Sequence, residues 1–203
     1  IIMEYIAVDA IHPEWNIWLD FATHELVMAL CRDAIDGVQA VQVDVENPDE
    51  ISSLFDGAIV YAKGARLMRM CQSFIGHEAF RRGLASYFAE FAYGNTEADD
   101  LWRHLSEASG QDISSLMNTW ISQSGYPVIS VDDNGVSQTQ FFIGEHEPSH
   151  KLWPIPLMAE STEDVPALLE TRHLALPITP GERLNADDNA HFITHYAPHH
   201  LSA

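Results

Sequence analysis

The feature of this sequence that most constrains its fold is a change of hydrophobic period at Gly125-Tyr126-Pro127. Before that point apolar residues recur every three to four positions, the repeat that gives an α-helix one buried face. Trp15, Trp18, Leu19, Ala22, Leu26, Ala29 and Leu30 form one such stripe, with Gly37 as its stop. Lys63 to Ile75, followed by Gly76, predicts another helix, and Phe80, Leu84, Tyr87, Phe88 and Phe91 mark a third, expected to be the most buried. Thr96 is read as the cap of a helix containing Leu101, Trp102 and Leu105 that Gly110 closes, and Ile113, Leu116, Met117 and Trp120 mark the last. Asn47-Pro48-Asp49-Glu50 has the chemistry of a helix start: a capping side chain, proline in the first turn and an acid three residues beyond the cap. Strict alternation in Val41-Gln42-Val43-Asp44-Val45 predicts one short half-buried strand among these helices.

After the change the signals are those of strands. Val128 to Val131 and Val136 to Ile143 flank Asp132-Asp133-Asn134-Gly135, a hairpin signature. Leu152 to Ala159 and Thr171 to Leu176 are further strand candidates, with Pro154, Pro156 and Pro177 marking edges or ends. The expected architecture is α + β in two parts: an all-helical segment over 1–125 and an antiparallel β-sandwich-like segment over 126–203. Glycine, proline and polar residues predict exposed backbone at 123–135 and 144–151, where proteases should cut first.

Thirty acidic residues against ten basic ones leave a formal net charge of -20, which argues against nucleic acid or an anionic membrane surface as a partner. Cys31 and Cys71 belong to no CxxC pair, and both are expected to be buried structural thiols of a reducing cytoplasm. No segment has the unbroken apolar length that crosses a bilayer, and the opening Ile1-Ile2-Met3-Glu4-Tyr5 has no signal-peptide character. Because the chain opens inside an apolar, helix-compatible run with no cap before it, the expectation is that a preceding segment has been cut away.

Phe55-Asp56-Gly57-Ala58-Ile59-Val60-Tyr61-Ala62-Lys63-Gly64-Ala65 resembles the segment of aminopeptidase N family zinc metallopeptidases that bears the catalytic tyrosine just before Lys-Gly-Ala. Tyr93-Gly94-Asn95 with Asp100-Leu101-Trp102, then Trp120 to Val128, then Gln140-Phe141-Phe142 with Trp153-Pro154-Ile155-Pro156-Leu157 are similar to family segments in the same order. Met3-Glu4-Tyr5 with Pro13-Glu14-Trp15 extends the resemblance to the start. It implies the C-terminal helical part of a thermolysin-like catalytic domain followed by a β-domain, in a bacterial cytoplasmic enzyme that removes single residues from peptide N-termini. In that family zinc is held by the two histidines of a His-Glu-x-x-His helix and a glutamate on the next helix. Against that pattern Ile1 falls just after the third ligand, so the resemblance places every zinc ligand upstream and implies that this chain alone is inert. Tyr61 is the one catalytic residue it assigns here, as a phenol donating to the oxygen on which charge develops during hydrolysis. Gln39-Ala40 stands where the family usually has His-Pro, a change expected to touch packing or rim geometry. A rival from another class is a non-catalytic interaction module whose acidic face binds a protein partner.

Three constellations imitate sites. His146-Glu147-Pro148-Ser149-His150 matches the zinc motif by letter, but Pro148 and strand-like flanks deny it the continuous helix that would aim both imidazoles at one ion. In His24-Glu25-Leu26-Val27-Met28 a thioether stands at the second ligand position, a poor donor to zinc. The tail residues His191, His195, His199 and His200 are expected to be surface histidines, since nothing in the sequence supplies a partner shell. No stoichiometric metal is therefore expected. Asp99-Asp100 and Asp132-Asp133 are read as capping and turn residues.

Overall fold

The computed structural model describes residues 1–45, 47–160 and 165–201, and among these it places eight α-helices before Gln123 and six strands after Tyr126. The helices are α1 (Ile2–Ile11), α2 (Ile17–Thr23), α3 (Glu25–Asp33), α4 (Ile51–Leu54), α5 (Gly64–Ile75), α6 (His77–Glu90), α7 (Ala98–Ser109) and α8 (Ile113–Ser122). A π-turn over Ala58–Lys63 runs directly into α5. Asn47 caps a 3-10 turn at Pro48–Glu50 by accepting from the Asp49 amide, as its sequence predicts. Gly76 and Gly110, both at positive φ, end α5 and α7.

Four expectations about the helical part are corrected. The stripe from Trp15 to Leu30 is broken into a 3-10 turn ending at Trp15 and two helices, the second break falling where the Thr23 hydroxyl bonds the Leu19 and Asp20 carbonyls and the chain turns at His24. Phe21, Leu26 and Ala29 then face the core, while Trp15 and Leu19 stay exposed. Val41 to Val45 form no strand, since no neighbouring strand completes a ladder among the described residues and the Gln42 amide instead donates to Ile121 O. The cap of α7 is Glu97, in a reciprocal capping box with Asp100, and the Thr96 hydroxyl pairs with the Tyr87 phenol. On α6 only Phe80 and Gly83 are buried and Phe88 lies in solvent. Deeper burial belongs to α8, with Ile113, Leu116, Met117, Trp120 and Ile121, and to α5. What fixes α6 is Gly83: a Cβ there would lie 2.8 Å from Leu105 Cδ2 and 3.1 Å from His104 O, so the two helix backbones meet at that residue.

Beyond the helices, β1 (Pro127–Asp132) and β2 (Gly135–Gln140) form the expected hairpin, in register from Pro127↔Gln140 to Asp132↔Gly135. The remaining strands are short: β3 (Ile155–Pro156), β4 (Leu168–Leu169), β5 (His173–Leu174) and β6 (Ile193–Tyr196). β5-β2-β1-β6 make one sheet and β3-β4 another, so a helical region is followed by a β region as expected. The larger sheet is mixed, because β6 joins β1 in parallel while the other pairs are antiparallel. Gln138, fully buried in β2, satisfies its amide by donating to Trp153 O and Thr171 O and accepting from the Trp153 amide.

One apolar core crosses the junction. Leu67, Met70, Leu105 and Trp120 from the helices belong to the same buried cluster as Ile129, Val131, Trp153, Ile155 and Phe192. The Trp120 indole donates to Pro154 O at 2.8 Å across it. Gly125, Tyr126 and Pro127 are themselves buried, which corrects the expectation of exposed backbone there. No helix among the described residues is long and apolar enough to cross a membrane.

Candidate functional site

Tyr61 sits in the middle of the π-turn, half exposed, with its ring edge-on to Phe55 at 5.3 Å. A π-turn inserts one extra residue into helical backbone, is uncommon, and recurs at functional sites because it re-aims a side chain. Its start is fixed by Asp56, whose carboxylate accepts from the Ala58 amide at 3.0 Å and pairs with Arg32 of α3. Gln39 donates its side-chain amide to Leu54 O just upstream, so the residue that departs from the family pattern braces the approach to the turn.

The other end of the turn is anchored in the interior. Lys63 and Asp33 are completely buried and paired at 2.9 Å. Two further donor positions of the ammonium are used by Gln123 O and Gly125 O, each at 3.1 Å. Asp33 also accepts from the Gly125 amide at 2.8 Å and from His191 Nε2 at 3.3 Å. Gly125 can aim its amide this way because it sits at φ +87, and a Cβ there would strike the Gln140 side chain. One turn on, Arg66 reaches Asp188 and Ala190 O, closing the loop that leads to His191.

These contacts set the charge states. Burial alone pushes the Asp33 carboxyl up, but the His191 hydrogen bond and the Lys63 charge outweigh it and hold it below the usual carboxylate range. Burial pulls the Lys63 ammonium below its ordinary value against the opposing pull of Asp33. His191 is pulled down to about 4 by complete burial, partly offset by Asp33, and is therefore neutral at pH 7. A neutral imidazole donating from Nε2 beside a Lys–Asp ion pair makes the cluster electrically balanced in the interior.

Sequence reasoning singled out Tyr61 but not the buried residues that hold its turn. Asp33 is the last residue of α3, where a carboxylate opposes the helix dipole, and that misplaced charge was the available signal that it serves something other than its helix. His191 is buried, not a surface residue, and so is His200, whereas His195 and His199 are exposed. Cys31 is exposed, contrary to expectation; Cys71 is buried, which pushes its thiol up to about 12.

Neither letter match to a zinc motif fits the metal. His146, Glu147 and His150 lie in an irregular segment, and His146 stacks on Phe142 at 4.1 Å. His24 is the joint between α2 and α3, bonded to Asp20, with Met28 one turn on. Asp99 accepts from the Asn118 side chain and Asp100 completes the capping box, while Asp132 accepts from the Asn134 amide in the hairpin turn. Asp133 does more than turn the chain: it pairs with His199 at 2.7 Å, the partner the sequence did not supply for the tail histidines.

The chain is 50% identical over 207 aligned residues to Aminopeptidase N of Lactococcus lactis subsp. lactis, covering 96% of this chain and 24% of that protein. It is 46% identical to Aminopeptidase N of Lactobacillus delbrueckii subsp. lactis, again over 96% of this chain and 24% of the relative. Tricorn protease-interacting factor F2 of Thermoplasma acidophilum is 38% identical over 82% of this chain and 22% of its own length. The chain thus spans about a quarter of the length of these curated relatives. The signature of the peptidase family M1 domain matches residues 1–120, from α1 to Trp120 of α8 and including the π-turn that presents Tyr61. By that match the chain belongs to peptidase family M1.

Proposed function

We propose that this chain is part of a zinc aminopeptidase that hydrolyses the N-terminal residue from peptides, and that Tyr61 is its contribution to the chemistry. The observation that carries the reading is a half-exposed phenol on a π-turn whose two ends are fixed by Asp56 and by the buried Lys63–Asp33 pair. A donor held in this way can meet the carbonyl oxygen of a bound peptide without reorganising as charge develops on it. The catalytic zinc that family membership implies is supplied by residues outside this chain, since neither His146 with His150 nor His24 with Met28 fits a His-Glu-x-x-His helix. The chain alone is then inert toward amino-acid anilides. The division into a helical part of the catalytic domain, 1–125, and a β-domain, 126–203, goes with this reading, supported by a family match that stops before the first strand. Exposed apolar side chains on α2 and α3, among them Leu19, Val27 and Met28, are surfaces that the rest of a longer enzyme would cover. A cytoplasmic setting is the companion proposal, supported by two unpaired cysteines. The rival reading as an acidic interaction module gains nothing from the M1 match.

The test is Tyr61→Phe in a form of the protein that carries the zinc ligands. The ring still packs on Phe55, so folding and zinc content should be unchanged while turnover falls about 100- to 1000-fold with little change in KM. A variant that keeps its zinc and more than about a third of the turnover would refute the role, since losing an oxyanion donor costs far more than that.

A further inference from the structure

Asp133, at the tip of the β1–β2 hairpin, faces two consecutive histidines of the 3-10 turn Pro198–His200. Asp133 Oδ1 lies 2.7 Å from His199 Nε2 and 3.8 Å from His200 Nε2, the two rings are 4.5 Å apart, and one ligand atom from each of the three residues falls within 4.8 Å of the others. His200 is only 6% exposed, and both of its ring nitrogens are buried without a hydrogen-bond partner among the described residues. An imidazole in that state is anomalous, because a buried polar group without a partner loses the hydrogen bonds it had in water. Backbone bonds hold the pieces in place: the Ala197 amide donates to Val131 O at 2.9 Å, the His200 amide to Ala197 O at 2.9 Å, and the Gly181 amide to His200 O at 3.1 Å.

We infer that Asp133, His199 and His200 form a binding site for a divalent transition-metal ion of the zinc type, one that clips the tail turn to the hairpin tip. Two imidazoles and a carboxylate are donors that zinc accepts, whereas magnesium and calcium take oxygen sets. Zinc to ligand bonds of about 2.0–2.2 Å put tetrahedral neighbours roughly 3.4 Å apart. The observed 2.7 and 3.8 Å separations straddle that value, so rotations about the side-chain bonds of the exposed Asp133 and His199 suffice to close the shell. Metal would satisfy a nitrogen of His200 and replace the His199–Asp133 contact by two coordinate bonds, leaving one position for water. The site is built from this chain's own residues and is independent of the proposed peptidase role.

Zinc chloride titrated calorimetrically into the metal-free chain should give one saturable site, with magnesium chloride giving none. At a hundredfold excess over Kd, zinc should raise the thermal midpoint by roughly 5–10 °C. Asp133→Asn and His199→Ala alter exposed residues and should each weaken zinc binding at least about tenfold while circular dichroism reports an intact fold. His200→Ala should abolish binding, and His146→Ala should leave it unchanged. Absence of a saturable site overturns the inference, as does one-to-one zinc binding that survives both Asp133→Asn and His199→Ala.

Discussion

Replacing Lys63 by methionine keeps the length of the side chain and removes its charge, which makes it the most informative single perturbation of the site. In the native structure the ammonium has three partners: the Asp33 carboxylate at 2.9 Å and the carbonyls of Gln123 and Gly125 at 3.1 Å. All of this happens at zero side-chain exposure for Lys63 and Asp33, so water cannot substitute for what is lost. Removing one member of a buried pair typically costs about 3–5 kcal/mol, because the remaining charge is left desolvated and uncompensated. Against an ordinary stability of about 5–15 kcal/mol that is a large fraction of the total. Urea denaturation should show the midpoint falling by about 1–5 M, given slopes of about 1–3 kcal/mol per molar urea. Asp33→Asn in the same background supplies the control, since removing the orphaned charge should restore about 0.5–3 kcal/mol relative to additivity. A Lys63→Met variant that loses less than about 1 kcal/mol, or a double variant that is strictly additive, would show that the pair is not the anchor described here.

Three further outcomes follow from the same structure. His191 titrates near 4 in the fold against an ordinary 6.5, so the unfolded chain takes up the proton first. Its contribution is therefore complete above about pH 6.5 and declines as pH falls towards 4, by up to about 3 kcal/mol at about 1.36 kcal/mol per pH unit. Stability measured from pH 7 to 4 should fall less steeply in His191→Gln than in the parent, and equal slopes would refute this assignment. Gly83→Ala should destabilise by about 1–3 kcal/mol despite alanine's higher helix propensity, because the new methyl meets the backbone of His104 and Leu105; an increase in the thermal midpoint would show that α6 can shift freely. Limited proteolysis should cut first within 143–148, where every residue is exposed, and a first cut at 125–127, which is buried, would contradict the shared core.

Legibility followed the range of the interaction. The hairpin was readable because Asp132 to Gly135 and their flanks carry its whole signal, and α8 because its periodic residues all pack inward. β6 was not, since its pairing joins Val128 to Ile193 across the entire β region and nothing local announces a parallel partner. Val41 to Val45 shows the converse, a local alternation with no strand beside it among the described residues. At the site, the motif around Lys63 pointed to Tyr61, yet the Asp33–His191 contact links residues 158 positions apart. Titratable residues are assigned to the surface by default, and beyond the unfavourable helix-end position of Asp33 nothing local reverses that for Lys63 or His191.

The anchoring of Tyr61 also explains why the two halves of the chain share one core. A π-turn is an uncommon interruption of helical backbone, and this one is held at both ends by contacts outside the helix. Its first residues are held by Asp56, but its last residue, Lys63, takes two of its three bonds from the Gln123–Gly125 junction, and the Asp33 that completes the set is itself held by Gly125 and by His191 of the β region. The junction is buried because it carries these bonds, and the loop before β6 is pinned by Arg66 for the same reason, since His191 must arrive within reach of Asp33. Seen from Tyr61, the β region is a wall of the socket in which the turn is set. Changes in β6 or at the junction should reach the phenol through Lys63, whereas changes on the exposed faces of α6 and α7 have no such route.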